Sequence, residues 1–454
     1  MKVDHSETLH RLVKMLIDNG AAQSIEEANA IFDSFKLSVE ITASGAAGVA
    51  GQAAFLTAIV TGRRVFLGGV EVSGKLDQPL LLPLHLGATL SDAAAALGAV
   101  VVGKISETPP LIIIGHGGKV PGGFCVRALS AGWRGGIVPG NSDLSPVGKP
   151  AMPLAGMISA SIAVNEAFLF VNGEMPAAGH RTVGMSLWRP TELDWLSPDD
   201  TEPELTYLPS RAWFIGLGHL GQANLWAFGL LPYANPKEVH FVLQDVDTIS
   251  PSTESTSILS NQGLVGVKKT RAMAAWAEER GFQCSIVERL FDGKFQRQDD
   301  EPALAFCGLD NALGRRALDL VGFDMVIEAG LGRGHRDFRT MRLHTLPGQR
   351  PAAEIWRSAG NSENVESRPA YRRLLERGEV DRCGMTLLAG KAVGAPFVGV
   401  TAAGLAVAEA LRQLHGGALH QLIDLDLQCL DERGAVVHPQ DFSSTNFGYT
   451  LGCS

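Results

Sequence analysis

Cysteine is sparse and unpaired in this chain: Cys125, Cys284, Cys307, Cys383, Cys429 and Cys453 stand far apart, with no CxxC and no repeated spacing. That excludes a disulfide framework and a cysteine zinc site, both of which need closely ordered thiols, and leaves single thiols to consider. Uninterrupted apolar runs of the roughly 18 residues that suggest a membrane span are missing as well. The stretch MKVDHSETLHRLVKMLIDNG mixes charges with apolar residues at helical spacing and lacks the apolar centre of a signal peptide, so a cytoplasmic location is expected. Positive charge is in deficit, the formal net charge being −9. Nucleic acid and anionic membrane surfaces call for clustered Lys and Arg and are not expected as partners.

What remains is an ordinary globular composition, 45% hydrophobic and 19% charged, spread over 454 residues. That length is too great for one compact core and suits two or three domains. The most informative stretch is Arg211 to Asp247, RAWFIGLGHLGQANLWAFGLLPYANPKEVHFVLQDVD. An apolar run stops at the glycine loop Gly216, Gly218, Gly221; a helical stretch comes next, then a β-branched and aromatic run that ends in Asp245 and Asp247. This is the pattern of a βαβ unit that binds a nucleotide. Two glycines allow a tight turn and a close backbone approach to phosphate, the third allows close helix packing, and the helix start offers free N–H groups. Asp245 falls near the place where an acid takes ribose hydroxyls. A glycine turn with no ligand is the competing reading.

The same order of apolar run, glycine loop, helix and strand occurs earlier, in LSVEITASGAAGVAGQAAFLTAIVTGRRVFLGGVEV from Leu37, with Gly51 and Gln52 lying over Gly221 and Gln222. The closing helices also correspond, Lys149 to Phe168 with Gly394 to Arg412. A repeat this long implies a duplicated domain, not a solenoid. The expected division is residues 1–36 as N-terminal helices, with Ser24 capping the second; 37–186 as a degenerate copy; 187–210 as a linker; 211–430 as the active copy, with a crossover at 332–394; and 431–454 as a tail. The strand-like LIDLDLQCL is expected to close the sheet edge.

Past the two acids, Lys269 opens a helix from which its ammonium can reach phosphates, with Lys268 as its rival. The strand ALAFC then ends in Gly308, Leu309, Asp310, Asn311, at the rim where open α/β sheets bind ligands. Asp310 can hold Mg²⁺ there or cap the next helix.

These residues together resemble the E1-like superfamily, the ubiquitin-activating and ThiF/MoeB-type adenylyltransferases: GLGHLG, DVDTISPS, GVKK, GLDN, VIEAGLG and GAPFVGVTAAGLAVAEALR. The likeness covers Arg211 to Leu430 well and Leu37 to Gly173 only as an eroded copy. It implies an α/β fold of two doubly wound Rossmann-like halves, the first degenerate, forming a pseudo-dimer. It also implies ATP and Mg²⁺ as cofactors, with Gly216, Gly218, Gly221, Asp245, Asp247, Lys269 and Asn311 around the nucleotide and Asp310 on the metal. The implied reaction is adenylation of the C-terminal carboxylate of a ubiquitin-like or sulfur-carrier protein. Cys383, the only cysteine of the crossover segment, is the candidate thioester nucleophile, handing on to an E2-like acceptor; a half-buried thiol without chemistry is its alternative. Homo-oligomers are compatible with this plan.

One departure stands out: where the superfamily places an asparagine and an Arg-Gln pair after the acids, this chain has Thr253, Thr256 and Ser257. The substitutes for the missing guanidinium are Arg271, Arg315, or Arg63 and Arg64 from the first half. Without one, the chain reads as a nucleotide-binding scaffold. An NAD-dependent dehydrogenase is a further alternative, but it leaves Lys269, GLDN and the duplicate half without a task. Cys307, Cys284 and Cys429, all in strand-like runs, are expected in the core.

Overall fold

The computed structural model describes residues 5–106, 108–120, 122–357, 369–377 and 382–453. Three helices open it, α1 (His5–Thr8), α2 (Lys14–Asp18) and α3 (Ile25–Ser34). Ser24 does cap α3, its side chain accepting the Glu27 N–H, while Glu27 in turn accepts the N–H of Gln23. The first half then runs β1 (Leu37–Ile41), α4 (Ala43–Ala46), α5 (Val49–Gly62), β2 (Val70–Gly74), α6 (Leu90–Ala96), β3 (Val100–Val101), β4 (Leu111–Ile114), β5 (Cys125–Ala131), β6 (Arg134–Pro139), α7 (Pro153–Val171) and β7 (Val183–Ser186). After β8 (Tyr207–Pro209) the second half runs β9 (Arg211–Ile215), α8 (His219–Leu230), β10 (His240–Gln244), α9 (Lys269–Glu279), β11 (Gln283–Val287), β12 (Leu304–Cys307), α10 (Ala312–Arg316), β13 (Met325–Leu331) and β14 (Thr340–Leu346). It is completed by α11 (Ala352–Ile355), α12 (Pro369–Glu376), α13 (Arg382–Gly390), α14 (Pro396–Leu414), β15 (His420–Asp426), β16 (Gly434–Val437) and β17 (Tyr449–Leu451).

Two large sheets result, ordered β3-β2-β1-β4-β5-β6-β7 and β11-β10-β9-β12-β13-β14-β15-β16, beside a small sheet of β8 and β17. Counted along each half, the order is the same. In both, the first five strands are parallel and the later ones antiparallel. The opening strand of each half lies between the second and the fourth, so strand order reverses beside it, and the carboxyl ends of the strands form a crevice there. These are two Rossmann-like halves, as the repeat implied.

The halves meet through α5, α7, α8 and α14. Proline at the first turn starts both α7 and α14, a position where its missing N–H costs nothing. Both helices are long and apolar enough to cross a membrane by composition, yet nearly all of each is buried inside the fold. Thr401 and Ile158 stand at matching places along these helices, as do Gly404 and Ser161. Thr401 Oγ1 donates to Ser161 Oγ at 2.9 Å, while a Cβ at Gly404 would press on Ile158 and Met157. Each position thus meets the other's counterpart.

The tail docks on the body. β17 pairs antiparallel with β8, and Phe442 and Phe447 are buried. β15 and β16 do close the edge of the second sheet. The segment between the halves is also anchored, Glu202 making a buried ion pair with Arg134 at 2.9 Å.

One expectation fails. Cys307 is buried and Cys284 half-buried, but Cys429 is exposed. β15 stops at Asp426, whose Oδ1 accepts the Gln428 N–H at 2.8 Å. That Asx turn ends the strand before the cysteine and turns it outward.

Candidate functional site

The second half's glycine loop shows why each glycine is needed. Gly216 holds φ +84°, a left-handed conformation that side chains resist. A Cβ at Gly221 would overlap the carbonyl oxygen of Gly216, so this glycine lets α8 seat against the loop. Around Gly218 nothing lies within 4 Å of where a Cβ would stand, leaving its backbone open on that side.

Asp245 comes directly after β10 and ties this loop down. Its Oδ2 accepts the Leu217 N–H at 2.7 Å and its Oδ1 accepts the Asp247 N–H at 2.8 Å. Each oxygen keeps a second lone pair for a ligand hydroxyl. Lys269 opens α9 beside it, with Nζ 2.9 Å from Asp247 Oδ2 and 3.9 Å from Asp245 Oδ2. Its rival Lys268 donates instead to the Val246 carbonyl at 2.5 Å. The end of β12 closes the third side: Gly308 donates to the Ile215 carbonyl at 2.8 Å and abuts Gly216. Two residues on, Asp310 is exposed and bonds no described residue. The cap of α10 is Asn311, whose side chain accepts the Gly314 N–H at 2.7 Å, so Asp310 is left for another use. Glycine loop, Asp245, Asp247, Lys269, Asp310 and Asn311 therefore share one rim. The side chain of Cys383 lies outside the described residues, but its helix α13 packs against α1.

None of the four expected arginines is at liberty. Arg315 pairs with the enclosed Glu328 at 3.1 Å, and His344 Nδ1 lies 3.1 Å from the same carboxylate. Arg271 is bonded to Glu288 on the surface. Arg63 and Arg64 do cross from the first half, but Arg63 pairs with Glu254 at 3.1 Å. Arg64 donates to the carbonyls of Glu254 and Ser260, and its burial draws it down to about 9. They shape the segment after the acids without reaching past it.

A guanidinium within electrostatic reach of Asp310 belongs to Arg11, a residue that no motif singles out. Arg11 Nη2 donates to Ser252 Oγ and its backbone N–H to Ser255 Oγ, both at 3.2 Å. Burial pulls it below the ordinary arginine value, against the opposing attraction of Glu7 and Asp310. Glu7 in turn accepts from Lys391 at 2.6 Å, just past α13. The N-terminal helices thus join the segment after the acids to the crossover helices. No spacing rule marks Arg11, because its partners lie more than 200 positions away.

His219, the first residue of α8, turns its ring toward the start of α14, where a Cβ at Gly399 would overlap it. Its Nε2 is fully enclosed with no hydrogen-bond partner, although the residue as a whole is half-buried. Burial depresses its pKa to about 4, so the imidazole beside the loop is neutral at pH 7.

Residues 208–417 match the family described as BilD C-terminal domain, and residues 36–187 the BilD N-terminal domain. A curated relative, the bacterial E1-like protein BilD of Collimonas sp. (strain OK412), is 42% identical over 426 residues, covering 93% of this chain and 92% of the relative. The chain belongs to the BilD family of E1-like proteins. Among solved structures, E. coli MccB is similar at 13% identity with a TM-score of 0.35, covering 51% of this chain and 63% of MccB. The chain thus spans less than two thirds of MccB. E. coli tRNA N6-threonylcarbamoyladenosine dehydratase, TcdA, is similar at 15% identity with a TM-score of 0.29, covering 46% of this chain and 86% of TcdA.

Proposed function

We propose that the second half adenylates the C-terminal carboxylate of a small ubiquitin-like or sulfur-carrier protein, using ATP and Mg²⁺, and that the two halves act as a pseudo-dimer. The observation that carries this reading is the shared rim: an open glycine loop, Asp245 for the ribose, Lys269 for the phosphates and an unbonded Asp310 for the metal, with Arg11 within electrostatic reach of it. The first half contributes chiefly as support, its reciprocal contacts through α7 and α14 holding the N-terminal helices, and with them Arg11, over the second. When bound, Mg²⁺ would neutralise phosphate charge. The carrier carboxylate is already ionised and needs no base, so the protein's task is to position it and stabilise charge. Its oxygen attacks the α-phosphorus and pyrophosphate leaves.

Cys383 fits a second step, in which a thiolate attacks the acyl carbon of the adenylate and AMP departs. The place of α13 against α1, and so near the rim, supports that assignment. An E2-like protein would then accept the acyl group. A dehydrogenase gives Lys269, Asp310 and Arg11 nothing to do, and an inert scaffold has no need of an unbonded aspartate at this rim within electrostatic reach of a half-buried arginine. The test is ATP–pyrophosphate exchange dependent on a carrier with a free C-terminus. No exchange with any such carrier, together with NAD(H) binding, would replace this reading with the dehydrogenase.

A further inference from the structure

A cavity of about 780 Å³ opens at the carboxyl rim of the first sheet, not over the glycine loop of the second. Its walls are the ends of β1, β2 and β3 and the loop after β4, which is the crevice where strand order reverses. Thr42 caps the short α4 here, a helical turn standing where the second half has its open loop. The cradle for a triphosphate is therefore built over.

The charges at this rim are at liberty. The side chains of Glu40, Lys75 and Asp77 line the cavity and make no hydrogen bond or ion pair with any described residue. In the second half the charges at the rim are engaged, Asp245 with the loop and Lys269 with Asp247. Gly117 and Gly118, also in the wall, both hold φ +84°, and nothing stands within 4 Å of a Cβ at Gly117, so the backbone is exposed to whatever enters. Lys75 is the one lysine or arginine among the lining residues.

We propose that the first half holds a second nucleotide site, one that takes a nucleoside monophosphate in preference to a metal-bound triphosphate. A single unpaired ammonium suits a single phosphate, while Glu40 and Asp77 repel additional phosphates and accept from ribose hydroxyls or an exocyclic amine. The site goes beyond the adenylation reading and does not depend on it. If that reading holds, this rim would register the AMP that the other releases.

The test is calorimetric titration of the full chain carrying Asp245→Asn and Lys269→Ala, which disables the second-half rim. AMP is expected to bind one site, and adenosine to bind it more weakly. Adding Lys75→Glu should weaken AMP about tenfold or more, the loss of one charge-assisted hydrogen bond, and leave adenosine unchanged. Lys75→Glu alone should leave carrier-dependent pyrophosphate exchange at the level of the unsubstituted chain. The proposal is overturned if AMP and adenosine bind alike, if Lys75→Glu leaves AMP affinity intact, or if a double variant that melts normally binds no AMP. Absence of exchange in the unsubstituted chain would count against the adenylation reading alone, because the titration does not use it.

Discussion

Replacing Arg11 by alanine separates two roles that the structure superimposes. On the folding side, the change removes one side-chain hydrogen bond to Ser252 and leaves the backbone bond to Ser255 in place. One such bond is worth about 1 kcal/mol. On the catalytic side, the proposed role makes Arg11 a donor to developing phosphate charge, and removing such a donor costs about 100- to 1000-fold in rate. Arg11→Ala should therefore melt nearly normally and exchange pyrophosphate at least about 100-fold more slowly. Arg11→Lys keeps the charge but loses the planar fork, so it should recover part of the rate. Both variants are read by thermal melting and by exchange at saturating ATP and carrier. Exchange within about twofold of the unsubstituted rate, equivalent to less than about 0.5 kcal/mol of barrier, would refute the assignment and leave the missing guanidinium without a substitute.

Asp310→Ala should abolish Mg²⁺-dependent exchange while melting normally, since the residue bonds nothing else described; surviving exchange removes it from the mechanism. Cys383→Ala should permit exchange but prevent a reducible conjugate with the carrier, measured on non-reducing gels; a conjugate that persists points to another thiol. Glu328→Ala should destabilise the second half by about 3–5 kcal/mol, because Arg315 loses its buried counter-charge and His344 its carboxylate partner, and chemical denaturation would register it. His219 sets an acid limit. Its folded pKa, about 4, lies below the ordinary 6.5, so the unfolded chain takes up the proton first and stability falls as pH drops from about 6.5 toward 4. At about 1.4 kcal/mol for each pH step, the loss approaches 3 kcal/mol, and His219→Gln should flatten that part of the stability–pH curve.

Much of this architecture was legible because its signals are local. The glycine loop announces itself by spacing. The repeat shows because each half must bury its parallel strands on both faces and so writes the same apolar runs twice. Asp245 and Asp310 stand just past the ends of apolar strands and Lys269 at a helix start, the places where open α/β sheets meet their ligands. The exposure of Cys429 was hidden because LIDLDLQCL continues an apolar rhythm past the Asx turn that ends the strand. Asn311, not Asp310, capping α10 is a choice between two good caps that sequence alone leaves open. Arg11 was invisible for a different reason: its meaning depends on α1 folding back onto residues 251–255.

The asymmetry between the halves arises from one local difference on a common frame. Both third glycines do the same work: Gly51 would overlap Gly45 and Gly221 would overlap Gly216 if either carried a Cβ. Helix packing has therefore constrained both copies alike. The rims in front of those glycines have not been held alike. One turns sharply at Gly216 and leaves Gly218 open; the other inserts extra residues as α4, capped by Thr42. Such a turn can be accommodated only where no triphosphate needs the space. The first half has accordingly kept every contact that the shared helices require while its rim was free to take up different chemistry, which is the state from which a second, unlike ligand site arises.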